Sequence, residues 1–123
     1  MYFVKIRESI MIAHSLKHPF FGPAQKVHGA TYVVDVTFKS EAVDEHNVVI
    51  DIGLAHQIVK DVLKPLDYQN LDDLTIFEGH LTTTEFIAKF IFDEVTSKTA
   101  SFFKGKIGVS IKENPNAWAG FES

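Results

Sequence analysis

Val27-His28-Gly29-Ala30-Thr31-Tyr32-Val33-Val34-Asp35-Val36-Thr37-Phe38 is the stretch around which this chain is organised. At the two-residue period of a strand it places His28, Ala30, Tyr32, Val34, Val36 and Phe38 on one face, with Thr31, Asp35 and Thr37 on the other. A histidine therefore points where the apolar residues point. The preceding strand candidate, from about Tyr2 to Ile12, has Val4, Ile6, Ile10 and Ile12 on one side, with His14 continuing that face and Glu8 as its one misfit, the mark of a bulge or an edge. Two histidines on paired strands are expected to meet on one buried surface.

Between them, Leu16 to Gln25 holds Pro19, Gly22 and Pro23 and reads as a returning loop. After the second strand, Lys39 to Asn47 is charged and patternless, hence a turn. Val48 to Ile52 is a short β-branched run, with Asp51 just before a helix. From Leu54, apolar residues fall at Leu54, Ala55, Ile58, Val59, Val62, Leu63 and Leu66, the three-and-four spacing of an amphipathic helix, which Pro65 ends. Leu66 to Asp73 is a polar connection. A second helix is predicted to open on Thr82 as N-cap, with Glu85 completing a capping box and a stripe of Phe86, Ile87, Phe90, Ile91 and Val95. A loop follows over 97–101. Lys106 to Glu113 alternates again, placing Glu113 on the face of Ile107, Val109 and Ile111, and the tail from Pro115 to Phe121 adds an edge strand. Strand, strand, helix, helix, strand, strand is an α+β pattern with an antiparallel sheet of four strands and both helices on one face.

Composition narrows the function classes. The 123 residues fit a single domain over 1–123, large enough to bury a core without a disulfide or a structural metal. A net charge of −4 argues against a general nucleic-acid surface. No apolar run reaches the ~20 residues of a membrane helix, and a cytoplasmic location is the expectation. The chain has no cysteine, which excludes thiolate ligands and thiol nucleophiles together.

Six strings, in order and spacing, resemble the 6-pyruvoyl-tetrahydropterin synthase and 6-carboxytetrahydropterin synthase family: Ile12-Ala13-His14, His28-Gly29-Ala30-Thr31-Tyr32, Val48-Val49-Ile50-Asp51-Ile52, Leu66-Asp67-Tyr68-Gln69-Asn70-Leu71, Thr83-Thr84-Glu85 and Val109-Ser110-Ile111-Lys112-Glu113. The resemblance covers nearly the whole chain. It implies the tunnelling fold, in which three subunits close a twelve-stranded β-barrel and two trimers stack into a hexamer with sites between subunits. It implies a zinc ion held by three histidines, of which His14 and His28 match two while Ala30 stands in the place of the third. His18, His46 and His80 are the remaining imidazoles that could substitute, although no spacing argues for any of them, and His46, His56 and His80 read as surface residues.

The resemblance also implies a proton-transfer cysteine at the place of Ala24, or in a variant branch a glutamate at the place of Gln25, partnered by an aspartate and a histidine where this chain has Asp67 and Tyr68. An amide is no useful base near neutral pH, and a tyrosine with a pKa of about 10 needs a large downward shift to act as an acid there. One implied device is intact: Glu113 matches the buried glutamate that clamps the amide and amino edge of a pterin, and Thr83 or Thr84 lies where family members contact the ring. The plain alternatives are core or interface histidines satisfied by neighbours, a turn-forming Asp67, a capping Glu85 and a solvated Glu113. Three readings of function follow: a zinc-dependent lyase on dihydroneopterin triphosphate, an oligomer that binds a pterin-like ring with the lyase chemistry weak or lost, and a non-catalytic structural descendant. The second is the lead expectation.

Overall fold

A strand buried along one whole face fixes the architecture. The computed structural model describes residues 1–123. Strand β1 (Tyr2–His14) pairs antiparallel with β2 (His28–Ser40) in unbroken register from Tyr2 opposite Ser40 to His14 opposite His28. The inward residues of β2, Tyr32, Val34, Val36 and Phe38, are each 0% exposed. A single alternating strand thus supplies the middle of the core, each such side chain contributing about 1.5–3 kcal/mol on burial.

Helix α1 (Ile52–Leu63) and helix α2 (Thr84–Thr99) cover that face. Ala55, Val59, Val62 and Leu63 meet Ile87, Ala88, Ile91 and Val95 over the sheet. Asp51 caps α1 by accepting the Gly53 N–H at 3.0 Å, and the helix stops before Pro65, as read from the sequence. The run 48–52 forms no strand; Ile50 is buried in the core and Ile52 already begins the helix.

The second helix corrects the expectation in its cap. Thr83, not Thr82, is the N-cap and accepts the Phe86 N–H at 3.1 Å, so Glu85 stands one position short of a capping box. Thr82 is instead engaged by His14. The buried stripe of α2 includes Thr84, Ile87, Ala88, Ile91, Val95 and Thr99, while Phe86 and Phe90 pack edge-on against Phe77 at the flank. The helix runs through the predicted loop to Thr99, whose hydroxyl donates to the Val95 carbonyl at 2.9 Å.

The sheet has five strands rather than four, in the order β3-β1-β2-β4-β5, with β3 (Gln69–Asn70), β4 (Lys106–Asn114) and β5 (Ala117–Glu122). The added strand, β3, is two residues long and runs parallel to β1 opposite Ile12 and Ala13. Its polar sequence carries no strand signal, because backbone geometry creates it. Tyr68 turns the chain with φ of 58°, uncommon for a bulky residue, and its N–H bonds the Met11 carbonyl at 2.7 Å while Asp67 accepts the Met11 N–H at 2.9 Å. Glu8 marks no bulge: it lies opposite Val34 in continuous register, and its carboxylate accepts from His56 Nε2 at 2.6 Å with Lys60 Nζ 3.9 Å away. His56 is thus half-buried and partnered rather than a free surface residue. The tail forms the edge strand β5, with Phe121 against Phe92 of α2. No helix is long and apolar enough to cross a membrane.

On the outer face of the sheet, Arg7 clamps both oxygens of Asp35 at 2.7 and 2.9 Å, and this bonding holds the carboxyl below its usual range. A depressed folded pKa adds stability in full above the unfolded value of about 3.9 and loses it as pH falls through the folded value. Urea unfolding is therefore expected to favour the wild type over Asp35→Asn at pH ~6, with the gap closing as pH drops below about 4. A gap that stays constant over that window contradicts the assignment.

Candidate functional site

Register brings the two predicted histidines together. His14, the last residue of β1, is the cross-strand partner of His28, the first of β2, and their rings meet edge-on with centroids 4.6 Å apart. His14 is 1% exposed. Its Nδ1 lies 2.9 Å from the Thr82 carbonyl and 3.2 Å from the Thr82 hydroxyl, and His28 Nδ1 lies 2.8 Å from the Lys26 carbonyl. A carbonyl only accepts, so each Nδ1 carries the proton and each Nε2 presents a lone pair. For His14 that Nε2 is buried with no partner in the chain. Leaving such an atom bare costs about 1–3 kcal/mol, so the site is built toward something outside the chain. Burial lowers the His14 pKa, the Thr82 hydrogen bond opposes that shift, and the nearby His28 charge adds to it.

Whether these residues complete a zinc centre depends on a third donor. Catalytic zinc ordinarily takes three protein ligands with one position left open. The tautomers of His14 and His28 suit a metal, but the next inward residue of β2 is Ala30, which offers a methyl group. The chain's one cluster of three ligating side chains is elsewhere, at Asp44, Glu45 and His46 in an exposed loop. His18 spends its Nδ1 accepting the Phe20 N–H at 3.1 Å, and His80 stacks on Phe86 with centroids 5.0 Å apart. The residues present do not complete a three-ligand zinc site, and no chemical step is routed through one.

Around the histidines stand the groups expected to hold a ring. Tyr32, fully buried, has its hydroxyl 3.5 Å from Thr84 Oγ1 at the start of α2, and burial pushes the phenol pKa up. Glu113 lies at the end of β4, where the pairing with β5 shifts register, and is exposed within one chain, not buried; its charge acts on both Tyr32 and His14. His14, His28, Tyr32, Thr84 and Glu113 therefore share one neighbourhood.

Asp67 and Tyr68 do not join it. Asp67 is spent on the Met11 amide, and Tyr68 is 78% exposed with no hydrogen bond or ring contact to either histidine. The two positions where the resemblance implies a base are equally unpromising. Ala24 has no functional group, and the Gln25 amide donates to the Gly22 carbonyl at 3.1 Å within the turn 19–25. Sequence reasoning missed the role of Thr82, which it took as a cap, and the Asp72 carboxylate, which accepts the Ser15 hydroxyl at 2.6 Å and lies near His14. Both contacts join residues more than fifty positions apart, so no local pattern announces them.

The architecture has counterparts among known proteins. The family model for 6-pyruvoyl tetrahydropterin synthase matches residues 3–123. The chain belongs to the 6-pyruvoyl tetrahydropterin synthase family. Among curated relatives, it is 30% identical over 84 residues to the 6-pyruvoyl tetrahydrobiopterin synthase of Dictyostelium discoideum, a match that spans 67% of this chain and 62% of that protein. It is 27% identical over 121 residues to the 6-carboxy-5,6,7,8-tetrahydropterin synthase of Bacillus subtilis, spanning 89% and 77%. The solved 6-pyruvoyl tetrahydropterin synthase of Caenorhabditis elegans superposes with a TM-score of 0.86 at 24% identity, covering 99% of this chain and 95% of that one. Membership in the pterin synthase family confirms the tunnelling fold read from the six strings.

The site's hydrogen bonding makes a spectroscopic prediction. In long-range ¹H–¹⁵N spectra near pH 8, His14 and His28 are expected as Nδ1–H tautomers, the minority form of free imidazole in water. Nε2–H patterns for both rings contradict the geometry described.

Proposed function

We propose that this pterin synthase family member recognises a pterin-like fused heterocycle and has weak or no metal-dependent lyase activity. The observation that carries the reading is the position of Glu113: at the end of β4, near enough to Tyr32 and His14 for its charge to act on both, and bonded to no side chain of its own subunit. A carboxylate accepting two N–H bonds from the amide and amino edge of a flat ring is a compact recognition device that needs no metal. Thr84, at the first turn of α2 beside the Tyr32 hydroxyl, matches a position where the family resemblance implies contact with the ring.

Chemistry on that ring lacks its partners. No cysteine exists, Gln25 is tied to its own turn, and Tyr68 is a solvent-exposed phenol. The loss of a positioned base alone typically removes about 10²–10⁴-fold in rate. Asp67 and Tyr68 lie away from the histidines, so any part they play is played toward another copy. The free flank of β1 ahead of Ile12 and the outer edge of β5 suit such pairing, and a homo-oligomer, trimer or hexamer, is the assembly proposed. The names of the two curated relatives favour a second reading, an active pterin synthase with a substituted metal site.

Neopterin binding, followed by the ring's own fluorescence, tests the lead reading. Glu113→Gln is expected to weaken it by about 10–100-fold, since hydrogen bonds to a charged group contribute about 1.5–3 kcal/mol. Unchanged affinity in a folded variant shows that Glu113 is not the clamp.

A further inference from the structure

The face of the sheet turned away from the helices carries a charge pattern that the ring pocket does not use. We propose that its corner at Lys39 and Lys106 is a seat for a small, multiply charged inorganic anion of the pyrophosphate class. The seat lies at the opposite end of β2 from His28 and shares no residue with the pocket assigned above.

Strand alternation puts five cations on this face, Lys5, Arg7, Lys39, Lys106 and Lys112, against two carboxylates, Asp35 and Glu122, in a chain whose net charge is −4. Two of the five have partners: Arg7 clamps Asp35, and the Lys112 ammonium lies 5.9 Å from the centroid of the Trp118 ring. Lys39 and Lys106 stand directly opposite each other in the β2–β4 ladder, and the ion pairs of the chain engage neither. Like charges facing each other across a ladder repel, so an anion held by both ammonium groups also relieves their repulsion.

The same two lysines line a cavity of about 460 Å³. Its wall holds the half-buried hydroxyls of Thr37 and Ser110, and at Gly108 it is bare of any side chain. Two ammonium groups and two hydroxyls are donors that suit the oxygens of two linked phosphoryl groups. Glu122 borders the space, its Oε2 3.6 Å from where a Cβ at position 108 would lie, and its charge works against an anion. No aromatic side chain lines the cavity, so nothing there stacks on a nucleobase. The inorganic anion is therefore the occupant that the lining favours over a nucleotide.

Calorimetric titration of the full chain with inorganic pyrophosphate, at low ionic strength and without phosphate or divalent metal, tests the seat. Lys39→Gln and Lys106→Gln are each expected to weaken binding by about 10-fold or more, the scale of one charge-assisted hydrogen bond. Lys5→Gln, on the same face but outside the cavity, is expected to change it by less than about 2-fold. Glu122→Gln is expected to tighten it by about 2–10-fold, because a like charge is removed. Gly108→Val keeps every charge and fills the space; its Cβ meets Glu122 Cβ at 3.4 Å, an ordinary contact in a strand that suits valine, and the folded variant is expected to lose binding. ADP is expected to bind no more tightly than pyrophosphate. Absence of pyrophosphate binding by the wild type overturns the proposal, as does an equal loss in Lys5→Gln and Lys39→Gln, which marks a diffuse field rather than a seat. Undiminished binding by a folded Gly108→Val chain, or ADP bound about 10-fold more tightly than pyrophosphate, also overturns it. Failure here leaves the ring assignment standing, because Glu113→Gln is read on neopterin.

Discussion

The unbroken ladder between β1 and β2 is the constraint on which the rest depends. Thirteen consecutive pairs, from Tyr2–Ser40 to His14–His28, set which face of each strand meets the helices. A slip of one residue would turn Tyr32, Val34, Val36 and Phe38 outward and carry His28 away from His14. Core and site are therefore specified by the same register. The fully buried run of β2 holds it, and the histidine pair sits at its last rung, where β1 and β2 part around the turn 19–25.

That arrangement gives the site a division of labour. One part is rigid and inherited from the ladder: two imidazoles oriented by backbone carbonyls, with Tyr32 and Thr84 joined at the start of α2. The other part comes from segments that bear other duties in this chain. Asp67 satisfies an amide of β1, Tyr68 turns the chain into β3, and Gln25 closes a turn. The positions to which the family resemblance assigns proton transfer hold side chains with structural duties or an alkyl group. In the proposed function, the grip on a planar ligand asks only for Glu113 and its surroundings.

Much of this was legible in the residues. Alternation in 27–38 and 106–113 and the three-and-four spacing after Leu54 each carry their structure locally, because burial on one face writes a period into the sequence. What escaped has non-local causes. Thr82 and Thr83 are equivalent as caps until His14, sixty-eight positions earlier, claims the former. β3 exists because Asp67 and Tyr68 reach Met11, not because Gln69 and Asn70 favour extension. Glu8 breaks the apolar pattern of β1 since its partner, His56, lies on a helix forty-eight positions away. Of the candidate site, His14, His28, Thr84 and Glu113 were proposed from facing and from the family strings, whereas Asp72 had no signal at all.

The account's central claim is that the ring-binding pocket persists here without the acid–base groups of a lyase. Turnover of dihydroneopterin triphosphate by the purified chain, assayed beside its zinc content, addresses it most directly. The account predicts a rate at least ~10²-fold below that of a competent pterin synthase, the effect of a missing base, and less than one zinc per chain. Turnover at the competent rate with one zinc bound per chain would contradict it.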